Sequence, residues 1–277
     1  MFIRPSMTPF QLSLVFRSCN FRILAAVPFL VFPVKNRCRC FSNSEVMSRE
    51  AARYVADVLV SAVQRQGYAT LVFSGGSTPR RLYELLAAGQ YAAAVPWPVV
   101  YFFWGDERCV PSEHSESNYK MAFDALLSNV PVLQGNIHRI QTELGWQESA
   151  RAYEEELRTF WENHGKDADC AAELFDMVLL GIGADGHTAS LFPGSPSLDE
   201  HDRWVAAVEA PIGIGSRKRI TLTLPLLNRA RHVLFIVEGE DKKNIVDNIE
   251  KDGDTAAEHY PAARIHASER LKLFVNE

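Results

Sequence analysis

Short apolar runs alternate with longer amphipathic segments along the chain from about residue 45 onward. The apolar runs predict strands at residues 68–73, 99–104, 175–180, 204–208, 219–224 and 232–237, with a short strand at 137–140 and a last edge strand at 271–275. Apolar residues at helical spacing predict helices at residues 48–66, 80–88, 117–127, 148–161 and 239–249. This alternation is typical of an α/β protein, and we predict a single doubly wound, mostly parallel sheet flanked by helices, in one domain.

The run at residues 175–180 (FDMVLL) has the pattern of a strand that is buried on both faces of the sheet. It leads into a glycine-rich turn, residues 181–194, which carries Asp185 and His187. Ligands of an open parallel sheet bind at the carboxyl ends of its strands. The turn therefore lies where binding or catalysis is expected.

The first 44 residues differ in composition from the rest of the chain. They contain no acidic residue and six basic ones, so that the remainder holds 23 basic against 34 acidic side chains. This composition is typical of an organelle transit peptide, and the apolar stretch at residues 21–34 is too short to span a bilayer. We predict a leader at residues 1–44, removed or disordered, and a catalytic domain at residues 45–277.

The leader predicts a location in a plastid or a mitochondrion. Residues 39–42 (RCFS) have the pattern of a mitochondrial-type processing site that is cleaved before Ser42. A secretory signal is a competing interpretation, although its apolar core would lie unusually far from the start. If the leader is not translated and Met47 is the true start, the protein is cytosolic.

Charge and cysteine content limit the classes of partner and of cysteine site that the chain is expected to have. The net charge of −5 provides no extended basic surface, so we do not predict nucleic acid as a partner. We also predict no membrane partner, and either a monomer or a homodimer. Outside the leader, the cysteines are Cys109 and Cys170, and neither belongs to a C-x-x-C pair. We therefore expect neither structural disulfides nor zinc.

Residues 74–79 (SGGSTP) lie between a predicted strand and a predicted helix. The glycines of this turn, Gly75 and Gly76, let the backbone approach a ligand, and the helix start offers free N–H groups and a positive dipole end. The hydroxyls of Ser77 and Thr78 can also donate, which suits a phosphate. A tight turn with a simple helix cap explains the residues equally well, and the lysine of a Walker A loop is absent.

Residues 181–186 match the G-x-G-x-x-G pattern after a strand. Dinucleotide binding requires a helix to follow at once, but residues 192–196 (FPGSP) leave room for barely one turn. We therefore expect no nicotinamide cofactor. Asp185 and His187 are left as candidates for catalysis, against the alternative of a capping carboxylate and a structural imidazole.

Asp106, Glu107 and Arg108 follow another predicted strand. A solvated charged loop is the simplest interpretation, and a metal site made with His114 is weakly supported because nothing sets a ligand geometry. Arg219 and Lys242 are further cations near strand or loop ends, where ordinary surface charge is the alternative. The chain has no G-x-S-x-G elbow of a serine hydrolase.

Taken together and in order, these stretches resemble the 6-phosphogluconolactonase family. The resemblance rests on residues 73–79 (FSGGSTP), 104–111 (WGDERCVP), 117–118 (SN), 181–194 (GIGADGHTASLFPG), 219–223 (RITLT) and 239–242 (GEDK). Each stretch is weak alone, but the set covers nearly the whole chain from Ser48 onward. The resemblance implies a cofactor-free hydrolase that opens a phosphosugar lactone, on the fold of glucosamine-6-phosphate deaminase.

The candidate residues suit the chemistry that the resemblance implies. A neutral imidazole is a suitable base at physiological pH, so His187 would activate water, while Asp185 would orient His187 or help to hold that water. Arg108 would stabilise the oxyanion or grip the substrate. The residues expected to bind the phosphosugar are Gly75, Gly76, Ser77, Thr78, Asp106, Arg219 and Lys242.

Two other functions fit parts of the pattern. Glucosamine-6-phosphate deaminase resembles the chain in the glycine loop and the Asp-Gly-His turn, but it has a glutamate where this chain has Phe192, and a tyrosine at the position of Arg108. A non-catalytic phosphosugar-binding module would keep the phosphate loop without needing His187. The related regulators also carry a DNA-binding helix-turn-helix, for which this chain has no room.

Overall fold

The computed structural model describes residues 38–166 and 173–276. In this part of the chain the strands are β1 (Cys38–Cys40), β2 (Ala69–Phe73), β3 (Val100–Trp104), β4 (Asp106–Arg108), β5 (Phe175–Leu180), β6 (Val205–Glu209), β7 (Lys218–Leu222), β8 (Ala230–Glu238) and β9 (Arg270–Asn276). The helices are α1 (Ser44–Gln66), α2 (Ser77–Leu86), α3 (Gly89–Ala94), α4 (Asn118–Ala125), α5 (Trp146–Asn163), α6 (Leu224–Leu227), α7 (Glu240–Asp252) and α8 (Ala256–His259).

The main sheet has six strands in the order β1-β9-β8-β5-β2-β3, and every neighbouring pair is parallel. All six residues of β5 and all five of β2 are buried, as expected of strands covered on both faces. The predicted α/β architecture with a parallel sheet is confirmed. The apolar run at residues 175–180 is, as predicted, a central strand.

A second, antiparallel sheet has the order β4-β7-β6, whereas the sequence pattern predicts a single sheet. Its first strand was predicted as a charged loop, because Asp106 and Glu107 gave no apolar pattern. Both carboxylates are nevertheless buried, at 6% and 3% exposure. Gly105 lies between β3 and β4 and accepts a hydrogen bond from Leu222 N at 2.8 Å, which connects the two sheets.

The edge of the main sheet is β1, not β9 as predicted, because residues assigned to the leader pair with β9. Phe41 N donates to Val275 O at 2.9 Å, and the Phe41 ring packs edge-on against Phe274 at 4.9 Å. Asn43 then caps α1 by accepting from Val46 N at 2.9 Å, so the helix starts at Ser44 and not at Ser48. The ordered fold thus begins earlier than residue 45, while residues 1–37 of the predicted leader lie outside the described residues.

Three smaller predictions also have outcomes. The helix predicted to end at residue 66 does end at Gln66, and Gly67, with φ of +86°, follows it. The expected strand at residues 137–140 is a single bridge between Ile137 and Phe102. Cys109 is a free thiol, whereas Cys170 lies outside the described residues. Among the helices described, none is long and apolar enough to cross a membrane.

Candidate active site

A cavity of about 330 Å³ opens beyond the carboxyl ends of β2 and β5. The chain order reverses between these strands, since β3 follows β2 on one side while β8 and β9 follow β5 on the other. Such a switch point in a parallel sheet leaves a crevice in which ligands bind. Seven of the predicted site residues line this cavity: Gly75, Gly76, Asp106, Arg108, His187, Arg219 and Lys242.

The turn between β2 and α2 forms one wall of the cavity. Gly76 has φ of +102°, which strongly favours glycine, and α2 begins directly after it with no capping side chain. The N–H groups at the start of this ten-residue helix therefore remain available to an anion. Ser77 and Thr78 form the first turn of α2 but are not among the lining residues. The glycines and free N–H groups, rather than the predicted hydroxyls, shape this wall.

Asn118 lines the cavity and was missing from the predicted set. A Cβ atom at Gly75 would lie 2.0 Å from Asn118 Oδ1, so only glycine lets the amide lie against the turn. Asn118 is the first residue of α4, after the helix cap Ser117, whose Oγ accepts from Lys120 N at 3.1 Å. The sequence predicted a helix start here, but nothing local indicates contact with a distant turn.

The turn after β5 brings Asp185 and His187 together. Asp185 Oδ1 lies 2.5 Å from His187 Nδ1 and accepts from His187 N at 3.1 Å. Burial raises the pKa of Asp185, but the hydrogen bonds from His187 outweigh burial and hold that pKa below its ordinary value. An ionised Asp185 makes Nδ1 the protonated nitrogen and leaves Nε2 to accept a proton. Asp185 thus supports His187 from outside the cavity, which it does not line.

Close packing fixes the position of the His187 ring. A Cβ atom at Gly183 would lie 2.1 Å from His187 Nδ1, so the ring occupies space that only glycine leaves free. On another side the ring lies 4.7 Å from that of Phe192, which is 2% exposed. Ala189, two residues after the histidine, has φ of +47°, a strained conformation of the kind that functional sites retain.

Three cations line the same cavity as the glycine turn. Arg108 Nη1 donates to Glu116 O at 2.7 Å, while its buried Nε has no hydrogen-bond partner among the described residues. Arg219 is 5% exposed, and its Nε donates to Ser216 O at 2.9 Å. Burial lowers the pKa of Arg219, but the guanidinium keeps its charge. Together with Lys242, these groups give the cavity positive charge, which attracts anions.

The two carboxylates of β4 are committed to protein donors. Asp106 accepts from Ser190 Oγ at 2.6 Å and from Asn118 Nδ2 at 3.2 Å. Glu107 accepts from three backbone N–H groups, those of Arg108, Asn118 and Tyr119, at 2.7, 2.8 and 2.8 Å. Burial raises the pKa of Glu107 against the effect of these donors. Glu107 therefore secures β4, the strand that carries Arg108.

Several known proteins are similar to this chain in sequence and in fold. The family model described as glucosamine-6-phosphate isomerases/6-phosphogluconolactonase matches residues 42–274. A 6-phosphogluconolactonase from Synechocystis sp. is 38% identical over 208 residues, covering 75% of this chain and 82% of that protein. The chloroplastic 6-phosphogluconolactonase 3 of Arabidopsis thaliana is 33% identical over 246 residues, covering 88% and 74%. The structure of 6-phosphogluconolactonase from Trypanosoma cruzi superposes with a TM-score of 0.75 at 28% identity, covering 87% of this chain and 94% of that one.

Proposed function

Because the chain belongs to the family of glucosamine-6-phosphate isomerases and 6-phosphogluconolactonases, we propose that it hydrolyses 6-phospho-D-glucono-1,5-lactone to 6-phospho-D-gluconate. This is the second step of the oxidative pentose phosphate pathway. The observation that carries the proposal is the composition of one cavity. It combines an anion-binding turn, three cations and a histidine oriented by a carboxylate, which are the parts that hydrolysis of a phosphorylated lactone requires.

His187 acts first as a base and then as an acid. Its Nε2 takes a proton from water while the water oxygen attacks the lactone carbonyl carbon, which leaves a tetrahedral oxyanion. Arg108 stabilises this oxyanion by charge-assisted hydrogen bonding. The bond from the carbonyl carbon to the ring oxygen then breaks, and that oxygen takes the proton from His187. The carboxylic acid formed releases its own proton to solvent.

The phosphate binds at the glycine turn. Gly75 and Gly76 let it approach the backbone, and the uncapped start of α2 directly after Gly76 adds the positive end of the helix dipole. Lys242 and Arg219, which also line the cavity, add positive charge. No cofactor takes part in this reaction.

The position of Phe192 argues against deaminase activity. That side chain is buried and packs on His187, and it offers no acid where the deaminase resemblance requires a glutamate. A binding module without catalysis would have no use for the contact between His187 and Asp185, which costs conformational freedom and places a charge in a partly buried turn.

The test is a coupled assay on purified protein that begins at Cys38. Freshly generated lactone is supplied, and the product is followed with correction for spontaneous hydrolysis. We expect hydrolysis well above the spontaneous rate and no ammonia from glucosamine 6-phosphate. Deamination of glucosamine 6-phosphate, or a rate equal to the spontaneous one, would refute the proposed function.

We also propose that the leader directs the protein to a plastid, as the chloroplastic relative suggests, and that it ends before Cys38. Cleavage before Ser42 would remove β1 and leave the hydrogen-bonding edge of β9 unpaired. It would also remove Phe41 from its contact with Phe274. The monomer or homodimer expected from the sequence remains a prediction.

Truncation tests this boundary. A protein that begins at Ser42 should lose about 2 kcal/mol of unfolding free energy relative to one that begins at Cys38, which corresponds to ~4–8 °C in Tm. Thermal unfolding of the two proteins measures the loss. The variant Phe41→Ala in the longer protein measures the part that comes from the contact of Phe41. Equal Tm values for the two starts would place the boundary back at Ser42.

A further inference from the structure

We propose that Ser190 is a positioning residue for the hydrolysis proposed above. It acts through Asp106 to keep the loop of His187 and strand β4, which carries Arg108, at a fixed spacing. Ser190 lies three residues after His187 and is completely buried. It does not line the cavity, so its hydroxyl reaches neither substrate nor water there. Its Oγ donates instead to Asp106 Oδ2 at 2.6 Å. The inference rests on the proposed function, but the hydrogen bond itself does not.

Asp106 connects three parts of the site. It belongs to β4, two residues before Arg108, and its Oδ2 is bound by the loop of His187 through Ser190. Its Oδ1 accepts from Asn118 Nδ2 at 3.2 Å, and Asn118 lies against Gly75 of the glycine turn. One carboxylate thus joins the loop after β5 to β4 and, through Asn118, to the loop after β2. A backbone hydrogen bond from Gly105 N to Phe73 O at 2.9 Å also joins the ends of β3 and β2, and the bond from Ser190 adds the loop of His187 to this pair.

The charge of Asp106 makes its orientation matter. Burial lowers the pKa of Arg219, and the carboxylate of Asp106 is the largest influence in the opposite direction. Asp106 is therefore an anion close to the cations that the substrate needs. Ser190 holds Oδ2 with an O–H donor, a strong charge-assisted bond. Without that donor, we expect the carboxylate to turn towards Arg219 or Arg108. It would then neutralise positive charge that otherwise stabilises the phosphate or the oxyanion.

This arrangement adds a second role to the one predicted for Asp106. The sequence predicts that Asp106 binds the phosphosugar, and Asp106 lines the cavity. One oxygen of its carboxylate accepts from Ser190 and the other from Asn118. The same carboxylate is therefore also the group through which Ser190 and Asn118 set the relative positions of the residues around the site.

Ser149→Ala is a matched control for Ser190→Ala. Ser149 is also completely buried, and its Oγ donates to Gln141 O and Gly145 O, both at 2.7 Å, but it does not line the cavity. Both variants delete a buried hydroxyl. We expect Ser190→Ala to lower kcat/KM by about 10- to 100-fold and to raise KM, while Ser149→Ala keeps kcat/KM and loses at least as much Tm.

A double-mutant cycle tests whether Ser190 acts through Asp106. We expect Asp106→Asn alone to lower kcat/KM, and Ser190→Ala to add little in that background. Wild-type kcat/KM in Ser190→Ala, or additive losses in the double variant, would overturn the inference. If wild-type protein fails to hydrolyse the lactone, the proposed function fails separately. Titration of the same four proteins with inorganic phosphate then tests the inference alone. If Ser190→Ala weakens phosphate binding in the wild-type background but not in the Asp106→Asn background, the link through Asp106 is supported. Wild-type binding in Ser190→Ala, or additive losses of binding in the double variant, refutes it.

Discussion

Replacing His187 with alanine is expected to lower kcat for lactone hydrolysis by ~10²–10⁴-fold, the usual contribution of a general base. The imidazole lines the cavity, and the contact of Nδ1 with Asp185 leaves Nε2 to take a proton from water. Alanine removes this base but leaves the glycine turn and the cations in place. Binding of 6-phosphogluconate should therefore stay close to that of the wild type.

Steady-state kinetics and calorimetric titration with 6-phosphogluconate measure these two effects separately. His201→Ala is the control, because His201 is an exposed histidine that does not line the cavity. Asp185→Asn should fall between the two variants, since an amide still accepts a hydrogen bond but brings no charge to the imidazole. Hydrolysis at the wild-type rate in His187→Ala would show that another group activates the water.

The sequence predicted the central sheet because its two middle strands, β2 and β5, are mostly apolar. β2 and β5 are buried along their whole length, so their patterns depend on the core and not on distant partners. The general rule for carboxyl ends of parallel strands indicates that the turn of His187 is a place for binding or catalysis. The site roles of Arg108, Arg219 and Lys242 come instead from the family resemblance, because charge alone is equally typical of a solvated surface.

The burial of polar groups could not be predicted from these patterns. Asp106 and Glu107 look like a solvated loop in sequence, yet their burial is balanced by donors from α4 and from Ser190. Such donors lie far along the chain, and no periodic pattern marks them. The same holds for β1, because its pairing with β9 depends on the opposite end of the chain, while the basic composition around it indicates a leader.

A second large effect is expected at Gly183, which is not predicted to touch the substrate. A Cβ atom there would lie 2.1 Å from His187 Nδ1, 2.2 Å from Cε1 and 2.8 Å from Asp185 Oδ1. Gly183→Ala must therefore push the imidazole away from Asp185. A displacement of about 1 Å at a reacting group can cost ~10²-fold in rate, so kcat should fall by at least that factor.

Gly181→Ala provides the matched control, since it makes the same substitution two residues earlier in the same turn. A Cβ atom at Gly181 has nothing within 4 Å, so this variant should keep kcat near the wild-type value. Because the loss in Gly183→Ala arises through the displaced ring, adding it to His187→Ala should reduce kcat no further. Equal kcat in the two glycine variants would mean that the ring can move without consequence, and His187 would then not be the base. A loss that persists in the His187→Ala background would instead assign Gly183 a role in the cavity independent of the imidazole.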